Sequence, residues 1–236
     1  MPLPMVHLSV AVHLFGQDRI PAGFLLGSIA PDAIHMRKNT NREDKKRTHL
    51  NIESSDMTLD SLQPEYFEYL QRSDESDWKW FVRGYFAHLL TDYYWLQTVF
   101  RTQFREKVEA ARLSPEDNRR AYYKDTDQID FNKYKNSAWT SEVWQTLIAA
   151  EAYDIEPLLS ADEISYWRYR TIHWFDLLCK EPGITPQYIT EAMVDEFIEL
   201  AAAQVRLVLQ HWEQSIDEGR SHFEASVHDF RSSLRA

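Results

Sequence analysis

Gly84-Tyr85-Phe86-Ala87-His88-Leu89-Leu90-Thr91-Asp92-Tyr93-Tyr94-Trp95 is the stretch whose reading decides the fold of this chain. Phe81, Tyr85, Phe86, Leu89, Leu90, Trp95 and Leu96 fall on nearly every side of a helical turn, the pattern of a helix enclosed by a core. His88 and Asp92 are four residues apart, so their side chains share one helix face and converge. A carboxylate surrounded by aromatic and aliphatic groups is costly unless it meets a cation, several donors or a metal. Upstream, His7, Asp32 and His49 supply three more groups of the same ligand type, which makes a metal the leading expectation.

Away from this segment the chain still reads as helix. Its 236 residues include only six Gly and nine Pro, and 14% are aromatic. That profile favours an all-α globular protein, with residues 1–236 forming one domain. Pro4 opens a short helix to Phe15, and an apolar stretch from Ala22 to Ile29 stops at Pro31. Further helices are expected near 62–72 and 77–109, after Ser114-Pro115-Glu116-Asp117, and from the capping box Ser160-Ala161-Asp162-Glu163 to about Lys180. A last one runs from Pro186 to about Gln214. Val6-His7-Leu8-Ser9-Val10 alternates as a strand would, but its neighbours favour helix. Residues 36–60, dense in charge, read as an exposed loop leading into Thr48-His49.

A formal charge of −11 argues against general affinity for nucleic acid or anionic membranes. The run Lys45-Lys46-Arg47 is an exception; such runs are usually solvated, yet its place beside His49 keeps phosphate recognition open. The lone Cys179 cannot form an internal disulfide and reads as a small buried hydrophobe. Met1 to His7 lacks the charged and apolar parts of a secretory signal, and no run approaches the roughly 20 apolar residues of a membrane span. A soluble, cytoplasmic protein without a transmembrane segment is expected.

Taken singly, each candidate ligand has a plainer reading: a histidine on an apolar face is usually hydrogen-bonded core, and an aspartate after Pro31 is often a helix cap. Their joint occurrence favours a metal. His35, three residues after Asp32, can reach the same site or serve as a surface or capping group. His13 lies six residues from His7 and points away from it. Trp95, Tyr93 and Tyr94 read as core packing, with a substrate wall as the alternative.

His7-Leu-Ser-Val-Ala11, Phe24-Leu-Leu-Gly-Ser-Ile-Ala-Pro-Asp32, Thr48-His49 and His88-Leu-Leu-Thr-Asp92 together resemble the zinc-dependent phospholipase C family, which is similar in turn to the secreted single-strand-specific zinc nucleases. The resemblance covers roughly the first 100 residues. It implies a helical bundle around a zinc cluster in which Asp32, His49, His88 and Asp92 hold one ion, while Asp92 bridges to a second held by His7. In the family that second ion also takes the amine and carbonyl of an N-terminal Trp. Here Pro2 stands five residues before His7, so removal of Met1 would place a secondary amine there.

The third ion of the family has no counterpart expected here. Thr98 stands six residues after Asp92 in place of a histidine, and His173, His211, His222 and His228 are followed four residues later by Leu177, Ser215, Ser226 and Ser232. One or two zinc ions, or other divalent metals, are therefore expected. The implied activity is that of a metal-dependent phosphoester hydrolase, with Asp32 binding metal and orienting the attacking water, on a small phosphoester or a phospholipid. The alternative is a non-catalytic helical binding protein holding one structural metal or none.

Overall fold

In chain order the helices are α1 (Pro4–Phe15), α2 (Ala22–Gly27), a 3-10 turn (Ala30–Met36), α3 (Arg42–Thr48), α4 (Leu59–Leu70) and α5 (Ser76–Trp95). After α5 the chain widens into π-type turns over Leu96–Phe104 before α6 (Arg105–Ala110), α7 (Pro115–Asn136), α8 (Thr140–Ala149), α9 (Ala161–His173), a second π-type segment (Trp174–Leu178) and α10 (Glu191–Glu218). The structure, a computed structural model, describes residues 3–16 and 20–218. The fold is all-α; β pairing among the described residues is confined to one isolated bridge, Ile155 to Leu159. No helix among them is long and apolar enough to cross a membrane.

Local chemistry sets several of these boundaries. Pro4 and Pro115 occupy first-turn positions, where the missing N–H costs nothing. Ser160 Oγ accepts from the Glu163 amide at 3.2 Å while Glu163 Oε2 accepts from the Ser160 amide at 3.0 Å, a reciprocal cap that starts α9. The same device corrects the reading of residues 36–60 as loop. Asn41 Oδ1 accepts from the amides of Glu43 and Asp44, and Asp44 Oδ2 accepts from the Asn41 amide. This box nucleates α3, whose run Lys45-Lys46-Arg47 lies in its last turn, favourably placed against the helix dipole. Cys179 differs from expectation too, being half-buried at the edge of the core.

Helix α5 runs through the centre with fifteen of its twenty residues buried, and α1, α2, α4 and α10 pack around it. The approach of α2 is unusually close because Gly23 and Gly27 face it and Gly84 faces back. A Cβ on Gly84 would overlap the Phe24 carbonyl oxygen, and one on Gly27 the Phe81 carbonyl oxygen. Only glycine permits that backbone contact. Along α10, Phe197, Ala201, Val205, Val208 and Trp212 form a buried stripe at helical spacing. Glu213 adds a polar tie, accepting from Tyr66 of α4 at 2.5 Å and from Arg83 of α5 at 2.7 Å.

Candidate metal centre

Four helical segments deliver His7 (α1), Asp32 (the 3-10 turn), His49 (the end of α3), and His88 and Asp92 (α5) to one buried place. Asp92 is fully buried, whereas Asp32 keeps 8% exposure and faces a cavity. The segments are held by backbone contacts around the site. Tyr85 donates to the Thr48 carbonyl at 2.5 Å, which anchors the end of α3 against α5. The Met5 amide donates to Asp130 of α7 at 3.0 Å, which anchors α1.

Hydrogen bonding on the far side of two imidazoles determines what faces inward. His88 Nδ1 donates to the Ser28 carbonyl at 2.8 Å, and His49 Nδ1 donates to the Lys45 carbonyl at 2.9 Å. A carbonyl can only accept, so in each neutral ring the proton sits on Nδ1 and the lone pair on Nε2. Those two Nε2 atoms lie 3.4 Å apart. Carboxylate oxygens surround them: Asp92 Oδ2 is 3.5 Å from His88 Nε2 and 3.6 Å from His49 Nε2, and Asp32 Oδ1 is 3.5 Å from His49 Nε2. With both rings neutral, these four electron-pair donors repel one another unless a cation, a metal ion or a proton, sits among them.

The spacing also has the scale of a metal site. Ligands at the roughly 2.0–2.1 Å of zinc–nitrogen and zinc–oxygen bonds stand about 3.3–3.4 Å apart at the corners of a tetrahedron. The four separations above match that edge length to within a few tenths of an ångström. Asp92 turns its other oxygen, Oδ1, to His7 Nε2 at 3.4 Å. One carboxylate thus serves two places. Two overlapping triplets, Asp32–His49–His88 and His7–His88–Asp92, each bring their ligand atoms within 4.8 Å of one another, and each could hold a metal ion. Both nitrogens of His7 and both carboxylate oxygens of Asp92 are buried without a hydrogen-bond partner. Orphaned groups of this kind are costly unless something completes them, and a divalent ion fits their donor chemistry.

Electrostatics keeps the donors available. Burial, reinforced by the neighbouring His88, depresses the His7 imidazole to about 4, leaving it neutral at neutral pH. Burial pushes the Asp92 carboxyl up, but His88 and His7 outweigh it and hold it well below the usual carboxylate range. Asp32 behaves alike, its burial overcome chiefly by the Lys45 ammonium. His88 is desolvated too, yet Asp92 raises it above its ordinary value. A proton and a metal therefore compete for the same Nε2, as expected where ligation requires the neutral ring.

Comparisons with family models, with curated proteins and with solved structures returned no match.

All five residues singled out in the sequence converge. His35 stands at the rim, half-exposed, with Nε2 3.7 Å from Asp32 Oδ1. His13 is turned away on the outer face of α1, bonded to the Ser9 carbonyl at 2.9 Å. Thr98 is buried and donates to the Tyr94 carbonyl at 2.7 Å, a core hydroxyl rather than a ligand. Tyr93, Tyr94 and Trp95 are buried as core. Pro2, His222 and His228 lie outside the described residues.

Sequence reading left Lys45 between a solvated loop and phosphate recognition beside His49, and did not foresee its contact with Asp32. Its ammonium is 3.0 Å from Asp32 Oδ1 and 3.4 Å from His35 Nε2. The signal was present in the Asn41-to-Asp44 cap, which makes Lys45 helical and sets it one turn before His49 on the same face.

Proposed function

We propose that the protein is a metal-dependent phosphoester hydrolase with a mono- or dinuclear zinc site, in keeping with its resemblance to the zinc-dependent phospholipase C family. The observation that supports it is the inward-facing pair of bare Nε2 atoms, His49 and His88, 3.4 Å apart and flanked by Asp32 and Asp92. His49, His88, Asp32 and Asp92 would hold one ion, and His7 with the second oxygen of Asp92 would contribute to another. Divalent metal bound there lowers the pKa of water and neutralises charge on phosphoryl oxygens.

The chain's own groups divide the remaining work. Ser28 and Lys45 fix the ring orientations through their carbonyls, a support that ligating imidazoles generally require. Asp92, sealed from solvent, supplies fixed negative charge to both places. Asp32 reaches the cavity and orients the attacking water, while Lys45 holds that carboxylate in place and keeps it ionised. His7 and His88 stack with ring centroids 3.8 Å apart and planes 8° from parallel, so neither ring can swing away without disturbing the other.

A second reading, one structural metal in a non-catalytic protein, is favoured by the complete burial of Asp92. Elemental analysis combined with a panel of phosphomonoesters and phosphodiesters separates the two. Metal at one or two equivalents with turnover abolished by Asp32→Asn is expected. Tightly held metal without turnover on any ester would establish the structural role, and protein that neither carries nor takes up metal would overturn both.

A further inference from the structure

Arg42, Lys45 and Lys46 stand at i, i+3 and i+4 on α3, and so share one helix face. All three line a cavity of about 410 Å³ whose inner end is formed by Asp32 and His49. In a chain of net charge −11 this is a local reversal of sign placed directly over the candidate metal ligands. Lys45 is the innermost cation, fixed to Asp32 at 3.0 Å. Arg42 is paired with Glu53 at 3.2 Å and Lys46 with Glu43 at 2.7 Å. Glu53 also lines the cavity and returns one negative charge to it. Arg42 is 79% exposed and Glu43 71%, and ion pairs so open to water contribute little. Both cations can exchange a carboxylate for a better anion at small cost.

A second cavity, of about 420 Å³, shares Leu3, Pro4, His35 and Trp167 with the first and is walled by Trp167, Trp174 and Phe175. One compartment is cationic and opens on the metal ligands. The other is walled by aromatic rings, with Asp127, Asp130 and Arg170 also in its lining. A phosphomonoester carries close to two negative charges at neutral pH and three free oxygens, whereas a diester carries one charge and two. Three cations on one face suit the former.

We propose that Arg42, Lys45 and Lys46 form a phosphate-binding face and that the substrate is a dianionic phosphomonoester, its phosphate between α3 and the metal ligands and its organic group against Trp167 and Trp174. This rests on the hydrolase reading above for the reaction, but the binding face can be tested apart from it. Its consequence is selectivity by charge: the face discriminates monoester from diester before any chemistry occurs.

The test is calorimetric binding of inorganic phosphate and of dimethyl phosphate at pH 8 to the wild type, to Lys45→Gln and to the double variant Arg42→Gln/Lys46→Gln, with metal content measured on each sample. Phosphate should bind at least tenfold more tightly than dimethyl phosphate. The double variant, which alters no group touching the candidate ligands, should lose at least fivefold in phosphate affinity with its metal content unchanged. Lys45→Gln should lose more. Equal binding of the two anions, or phosphate affinity indifferent to the double variant, would overturn the phosphate-binding face whether or not metal is present. Absence of metal with the phosphate preference intact would overturn the hydrolase reading and leave the binding face standing.

Discussion

Gly84→Ala connects packing to the site in one substitution. The new Cβ would meet the Phe24 carbonyl oxygen well inside contact distance, so α2 and α5 must part by roughly 1 Å to restore ordinary contact. Overpacking of this kind costs about 1–3 kcal/mol, which for a chain of this size lowers Tm by roughly 2–4 °C per kcal/mol. The same displacement carries Ser28, which follows α2 directly, away from His88 Nδ1. Starting from 2.8 Å, a retreat of about 1 Å takes that hydrogen bond beyond useful length. His88 is then free to adopt the other tautomer, and loss of such a supporting bond typically lowers metal affinity by about 10–100-fold. Thermal melts in excess chelator report the packing cost alone, and competition for zinc against a chromophoric chelator reports the affinity. A variant with lowered Tm but zinc affinity within about twofold of wild type would refute the link from α2 through Ser28 to His88. An unchanged Tm in chelator would refute the tightness of the helix contact itself.

Three further outcomes are expected. His88→Ala should lose metal and melt earlier, because binding energy gained only in the folded state is folding energy; unchanged occupancy would make His88 an ordinary core residue. His7→Ala should keep the ion held by Asp32, His49 and His88 but lose a second one, with activity falling further than stability; a wild type holding one ion and matched in rate by the variant would leave His7 purely structural. Asp130→Asn should flatten the pH dependence of stability. Burial raises the Asp130 carboxyl well above its ordinary value, so as pH rises through the window between the two values the unfolded chain ionises, the folded chain stays protonated, and stability is lost. The side-chain amide oxygen of that variant can still accept from the Met5 amide, which Asp130 holds at 3.0 Å in the wild type. Denaturant melts across that window should show the wild type losing stability while the variant does not, and equal slopes would contradict the assignment.

By itself the sequence determined what depends on near neighbours. Helical hydrogen bonds join residues four apart, so the apolar surround of His88, the prolines at first-turn positions and the Ser160 cap were all legible along the chain. So was the convergence of His88 with Asp92. The cap that starts α3 is equally local, but the charge density around it reads as loop, and the placement of Lys45 against Asp32 went unread with it. What only the tertiary structure decided involves partners far apart in the chain. Ser28 selects the His88 tautomer from sixty residues away, through a helix contact that three glycines make possible. Asp92 gives one oxygen to His88 and His49 and the other to His7 because α1 brings His7 to Oδ1 while α3 brings His49 to Oδ2. Residue order names the donors, but the direction of a lone pair is set by whichever backbone carbonyl the fold brings behind the ring.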